Sequence, residues 1–241
     1  IDDALVHVWG VNLDLQEGDL PYAWSLLSEE EQRRADRLLS SLHRRRYIAA
    51  HAALRTLLSS YCGNGPSLVI NKTVEGKPYL PDFPSLCFSL THSHEKAVVA
   101  VAKGRNVGVD LEKVRFERDV LGLARRFFSI QDRCFIENDR IEGQGPSSIH
   151  ERFLMTWVAR EAVAKADGAG IRFPLYQEWF EPNEHATAGW LIRGVGAGHE
   201  QVGFVRFLDL EPGWIGAVSA PGSNWNVVYC TAPVFSISPG S

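Results

Sequence analysis

Apolar positions along the chain recur with two different periods, and the switches between them mark out its elements. Residues 5–13, Leu-Val-His-Val-Trp-Gly-Val-Asn-Leu, alternate as a strand does. Asp19-Leu-Pro-Tyr reads as a loop, and Ser28-Glu-Glu-Glu31 as a capping box with Ser28 at N-cap and Glu31 at N3. A helical period then runs to about Tyr61, broken near Ser40-Ser41 and ended by Cys62-Gly-Asn-Gly-Pro66. Strands are predicted at Leu68-Val-Ile-Asn, Leu86 to Thr91 and Lys96 to Ala102, with a turn at Glu75-Gly-Lys-Pro78 and an extended Tyr-Leu-Pro after it. Lys103-Gly-Arg-Asn106 then turns into Val107-Gly-Val-Asp-Leu-Glu112, which predicts a hairpin.

The second part repeats this order. Helices are predicted from Asp119 to Phe128, from about Gln131 to Asn138, and from about Ile149 to Asp167, where Gly168-Ala-Gly170 stops the last. Glu142-Gly-Gln-Gly-Pro-Ser-Ser148 is polar and glycine-rich, the expected mobile segment. Strands follow at about 189–192, 202–207, 215–219 and 226–230, and residues 232–241 form a loose tail. A helix-then-strands block thus occurs twice, before and after about residue 105, with no repeat at a fixed period.

Composition narrows the classes. With 241 residues, 45% hydrophobic and 22% charged, the chain suits one large globular domain or two small ones. It has no apolar run long enough for a membrane span and no leader-like N-terminus, so neither is expected. Four widely spaced cysteines (62, 87, 134, 230) contain no C-x-x-C pair and fit a reducing cytoplasm. The net charge of −4 argues against a general nucleic-acid binder.

Candidate chemistry centres on Trp157-Val-Ala-Arg-Glu-Ala-Val-Ala-Lys165. Helical spacing puts Trp157, Glu161 and Lys165 on one stripe, with Leu154, Val158 and Ala162 on an apolar stripe beside it. That stripe could hold a metal ion next to a phosphate; a plain i,i+4 surface ion pair is the other reading. Asp110 and Glu112 project from one face of a strand, ~7 Å apart. A hard cation such as Mg²⁺ would relieve their repulsion, with Glu161 as a third oxygen donor, although two solvated acids would need none. Arg46 and Arg55 lie among Arg33, Arg34, Arg37, Arg44 and Arg45, a phosphate-binding set or a solvated basic face. Lys77 in its turn and His92 at a strand end are further candidates. No Walker loop, H-E-x-x-H motif or G-x-S-x-G elbow is present.

In order, Gly76-Lys-Pro78, Phe88-Ser-Leu-Thr-His-Ser93, Val107-Gly-Val-Asp-Leu-Glu112, Arg126-Phe-Phe-Ser129 and Trp157 to Lys165 resemble the Sfp-type 4′-phosphopantetheinyl transferases. The resemblance covers about residues 28 to 175. It implies transfer of phosphopantetheine from coenzyme A to a serine of an acyl or peptidyl carrier protein, releasing 3′,5′-ADP. It implies an α+β fold of two similar α/β halves related by a pseudo-twofold, each a small, mostly antiparallel sheet packed on a long helix, with the active site in the cleft between them. The expected division is 1–104 for the half with coenzyme A contacts, 105–224 for the metal site and catalytic helix, and 225–241 for a final strand and tail.

By position, the resemblance makes Asp110, Glu112 and Glu161 magnesium ligands, with Asp110, Glu161 and Lys165 catalytic. Arg46, Lys77, Ser89, Thr91, His92 and Lys165 become coenzyme A contacts, Arg46 and His92 near the 3′-phosphate. Trp157 is expected to pack beside the metal and position the helix. A cytoplasmic monomer is expected, with no nucleic-acid or membrane partner. Three residues depart from the family pattern: Arg160 replaces the usual lysine, Ser89 the usual asparagine, and Asp132 the usual glutamate. A catalytically silent coenzyme A or nucleotide-binding module of the same fold is the alternative.

Overall fold

The computed structural model describes residues 1–63, 68–116, 119–137, 148–168, 178–182, 189–196 and 199–231. It is a mixed α+β structure. In chain order the elements are β1 (Leu5–Asn12), α1 (Leu20–Ser25), α2 (Glu29–Asp36), α3 (Ser41–Cys62), β2 (Asn71–Lys72), β3 (Pro78–Tyr79), β4 (Leu86–Ser93) and β5 (Lys96–Lys103). There follow β6 (Gly108–Lys113), α4 (Val120–Phe127), α5 (Ile130–Glu137), α6 (Ile149–Asp167), β7 (Glu178–Pro182), β8 (Gly189–Gly196), β9 (His199–Phe207), β10 (Trp214–Pro221) and β11 (Asn226–Cys230).

Two larger sheets carry the molecule, in the orders β11-β1-β5-β4 and β6-β10-β9-β8-β7, beside the two-stranded pair β2-β3. All pairings are antiparallel except β1 with β11, through which the C-terminal strand returns to the first sheet. Helix α3 buries its Ile48, Leu54 and Leu58 against Val11, Val99 and Val101. Helix α6 lays Val158, Ala159 and Ala162 on Val205 and Ala217. Between the sheets, Val6, Val8, Val98 and Ala100 of the first meet Val109, Leu111, Phe204 and Val218 of the second. Strand β5 is therefore covered on both faces, and residues 97–102 read as an unbroken apolar run for that reason.

Helix ends follow the sequence. Ser28 and Glu31 form the expected capping box on α2, and Ser148 and Glu151 form another on α6. The break near Ser40 is real: Ser40 caps α3, and Gly63 ends it in the left-handed region at φ 68°.

Three expectations need correction. Residues 20–25 are helical rather than loop, because Pro21 stands in the first turn, where its missing N–H costs nothing. Of Leu68-Val-Ile-Asn only Asn71 enters a strand; the Leu68 carbonyl accepts from Arg55 Nη1 at 2.9 Å instead. The hairpin across Lys103–Asn106 does not form. Both edges of β5 are taken, by β1 and β4, so β6 leaves the first sheet and pairs with β10. Strand β7 lies in a stretch for which the sequence predicts no element. The expected mobile loop at 142–147 and the tail 232–241 lie outside the described residues.

Candidate active site

Strand β4 runs beside β6 without a backbone ladder between them. Alternation puts Ser89, Thr91 and Ser93 on one face of β4, and each hydroxyl bridges to β6. Ser89 Oγ accepts from the Val109 N–H at 3.2 Å, Thr91 Oγ1 donates to Asp110 Oδ1 at 2.9 Å, and Ser93 Oγ donates to Glu112 Oε2 at 3.0 Å. The two acids are thus aimed by hydroxyls of the neighbouring sheet. Behind them, Gly108 brings β6 against α6: a Cβ there would lie 2.0 Å from the Ala162 carbonyl oxygen and 2.3 Å from the Ala166 nitrogen. Only glycine permits that approach.

That contact brings α6's charged stripe to the acids. Lys165 Nζ lies 2.6 Å from Asp110 Oδ1, 3.3 Å from Thr91 Oγ1 and 3.2 Å from the Val109 carbonyl. Asp110 is buried and Lys165 half-buried. One turn earlier, Glu161 is half-buried, and its carboxyl is held above the usual range by burial and then by Asp110; Glu112 adds to the rise and Lys165 opposes it. The neighbourhood therefore brings Asp110, Glu112 and Glu161 close enough to Lys165 for their charges to be felt at Glu161. Among the described residues, no three His, Cys, Asp or Glu side chains are grouped so as to hold a metal ion. The donor chemistry of Asp110, Glu112 and Glu161 is nonetheless all-oxygen, the kind a hard divalent cation prefers.

Alongside lies a cleft of about 470 Å³, its walls including Arg34, His51, Lys77, Ser89, His92 and Lys165. Desolvation by the cleft walls, then the charges of His51, Lys165 and His43, hold the His92 pKa below its ordinary value, which keeps the ring neutral. Lys77 reaches across from its turn to hydrogen-bond the Ala166 carbonyl near the end of α6, and its pKa is lowered by burial. Opposite, Glu31 takes His51 Nδ1 at 3.0 Å and Arg55 Nε at 2.6 Å. Burial pushes the Glu31 pKa up, but hydrogen bonds from His51, the Ser28 N–H and Arg55 overcome it and hold it at about 2.

Of the residues the sequence singles out, Lys77, Ser89, His92 and Lys165 line the cleft, and Thr91 and Asp110 stand directly behind Lys165. Arg46 does not line it. Its guanidinium lies 3.0 Å from Asp14 and 4.0 Å from Glu95, on the other side of α3's basic run. Trp157 packs with Phe127, Phe128 and Phe153, fixing α6 against α4. Sequence reasoning misses Ser93 as the partner of Glu112, although the 89-91-93 alternation carries the signal. It also misses the cleft role of Glu31, whose capping box accounted for it fully.

A sequence model of the 4′-phosphopantetheinyl transferase superfamily matches residues 106–215, which contain β6 and α6. The chain is 35% identical over 170 residues to the 4′-phosphopantetheinyl transferase HetI of Nostoc sp., covering 69% of this chain and 70% of that one. It is 25% identical over 219 residues to the 4′-phosphopantetheinyl transferase Sfp of Bacillus subtilis, covering 89% and 92%. With the hydroxyl-aimed acids of β6 and the Glu161–Lys165 stripe of α6 in place, these likenesses show that the chain belongs to the 4′-phosphopantetheinyl transferase family.

Proposed function

We propose that the chain transfers the 4′-phosphopantetheine group of coenzyme A to a serine of an acyl or peptidyl carrier protein. The serine oxygen bonds to the β-phosphorus, the bond from that phosphorus to the bridging oxygen breaks, and 3′,5′-ADP leaves with the electron pair. The observation that carries this reading is Lys165: its ammonium sits where the cleft meets Asp110 and Thr91. A pyrophosphate entering the cleft meets that cation with its counter-charges already in place.

The serine must give up a proton, and Glu161 is the residue suited to accept it. Burial and the charges of Asp110 and Glu112 make it more basic than an ordinary carboxylate. Lys165 offsets charge on the phosphate being cleaved. Lys77 and neutral His92 line the same cleft and orient the coenzyme, so their contribution is placement rather than chemistry. Asp110, Glu112 and Glu161 are not grouped as a ligand set as they stand; they would have to draw together to hold Mg²⁺, which would supply neutralisation of the pyrophosphate charge.

The two sheets, each with its long helix, support a description as two halves, 1–104 and 105–224, with the cleft between them and residues 225–241 returning to the first. A pseudo-twofold between halves, a monomer and a cytoplasmic setting complete the proposal. No helix among the described residues is long and apolar enough to cross a membrane. The test is to incubate the protein with coenzyme A, Mg²⁺ and apo carrier proteins and weigh each carrier. The expected result is a gain of one phosphopantetheine; unchanged mass across a panel of carriers, with coenzyme A still bound, would favour the silent binding module.

A further inference from the structure

Two of the three departures from the family pattern meet in space. Arg160 and Asp132 are 1% and 4% exposed, and Arg160 Nη2 hydrogen-bonds Asp132 Oδ2. The same oxygen accepts from Ser129 Oγ at 2.6 Å and from the Ser129 N–H at 3.3 Å, while the Asp132 N–H donates back to Ser129 Oγ at 3.2 Å. Asp132 thus closes the first turn of α5 and receives an arginine from α6 with one oxygen. The guanidinium also lies 5.6 Å from the Phe128 ring centroid.

We infer that Arg160 and Asp132 form a length-matched pair that positions Glu161. The inference rests on the reading of Glu161 given under the proposed function. Residues 160 and 161 are neighbours on α6, rotated by ~100° about its axis, so one faces α5 while the other faces β6. Eight residues earlier on α6, buried Arg152 donates from Nε to the Ile136 carbonyl at 2.8 Å. Two arginines of α6 therefore hold α5, Arg160 near its first turn and Arg152 near its last. Rotation or sliding of α6 would break both, and the same rotation would swing Glu161 away from Asp110 and Glu112.

The matching is one of reach. Compared with the lysine and glutamate of the pattern, the base here reaches about one bond further through its guanidinium and the acid is shorter by one methylene. Asp132 folds back on Ser129 as Glu31 and Glu151 do on their own N-cap serines, and the longer arginine spans the distance from α6. Lysine at 160 with Asp132 would fall short; glutamate at 132 with Arg160 would overfill a buried site. Both exchanged together restore the summed length. Arg160 touches no proposed substrate group, so it is a positioning residue.

The experiment compares wild type with Arg160→Lys, Asp132→Glu and the double exchange, all conservative enough to retain the fold, with melting as a check. Three quantities are read: kcat and KM for coenzyme A in carrier modification, and the affinity for Mg²⁺ alone by calorimetry. Each single exchange is expected to lower kcat about tenfold, leave KM for coenzyme A within about twofold, and weaken Mg²⁺ binding. The double exchange is expected to recover most of both. Singles that match wild type in kcat and Mg²⁺ affinity would overturn the inference. So would losses that only follow the unfolded fraction, or a double variant worse than either single. A wild type that modifies no carrier and binds no Mg²⁺ would overturn the reading of Glu161 itself, and the inference with it.

Discussion

Two acid sites flank the cleft, Glu31 in one wall and the Asp110–Glu161 group behind Lys165 at the other, and they are balanced in opposite ways. On the α2–α3 side one carboxylate, Glu31, has His51, the Arg55 guanidinium and a backbone N–H around it, and its pKa is driven down to about 2. On the β6–α6 side Asp110 takes Lys165, and Glu161 is driven up, chiefly by burial and then by Asp110. The first arrangement has its charges satisfied and ties α2 to α3. The second keeps Glu161, through burial and neighbouring carboxylates, above the usual carboxylate range. Perturbed carboxyls of that kind cluster at functional sites. A raised carboxyl on one side and a depressed one on the other separate the reactive side of the cleft from its scaffold.

The largest break in this contrast is expected from Gly108→Ala. The new methyl would collide with the backbone of α6 at Ala162 and Ala166, with no flexible side chain to give way. Strand and helix must part, which separates Asp110 from Lys165. A loss of about 4 kcal/mol in a urea melt is expected, with activity abolished. Wild-type stability in this variant would mean that β6 and α6 can separate without cost. Asp110→Asn comes next. It keeps the shape and leaves Thr91 an acceptor, yet removes the charge opposite Lys165. A fall in kcat of about 100-fold is expected with the melting temperature little changed; near-full turnover would remove Asp110 from the mechanism.

Much of this contrast was legible in the sequence, on one side more than the other. The reactive wall is written in local spacing: Asp110-x-Glu112 on a strand, Glu161 to Lys165 on a helix. Such spacings survive folding, because period fixes direction. What joins those elements is not local. Ser93 to Glu112 and Arg160 to Asp132 each link separate elements, and no period predicts such a pair. The β5–β6 hairpin failed for a similar reason: a favourable turn says nothing about whether β5 has a free edge. Helix α6 was placed to within its caps because Ser148 and Gly168 signal its ends directly.

The satisfied wall gives a pH-dependent test. The Glu31 pKa is depressed in the folded protein, from an ordinary 4.5 to about 2. Its contribution is therefore fully present above about pH 4.5 and is lost as pH falls toward 2. At neutral pH it is on the order of 3 kcal/mol, shared among His51, Arg55 and the Ser28 N–H. Glu31→Gln should melt earlier than wild type at pH 7, and the gap should close as pH is lowered through 4 to 2. A gap that stays constant over that range would show that shape, not charge, holds α2 to α3.

The smallest effect is expected where the sequence and the structure part most clearly. Arg46 belongs to the basic run of α3, and the family resemblance makes it a coenzyme contact. Its guanidinium instead faces Asp14 at 3.0 Å, a half-exposed partner at the surface. Arg46→Ala should cost about 0.5 kcal/mol of stability, as a screened surface pair does. It should also leave KM for coenzyme A within about twofold, whereas Lys77→Ala should raise KM about tenfold with a smaller change in kcat. The paired measurement matters more than either value. Should Arg46→Ala raise KM as much as Lys77→Ala, the arginine must leave Asp14 when the coenzyme enters. The Asp14→Asn variant would then bind coenzyme A more tightly than wild type, because it frees the guanidinium in advance.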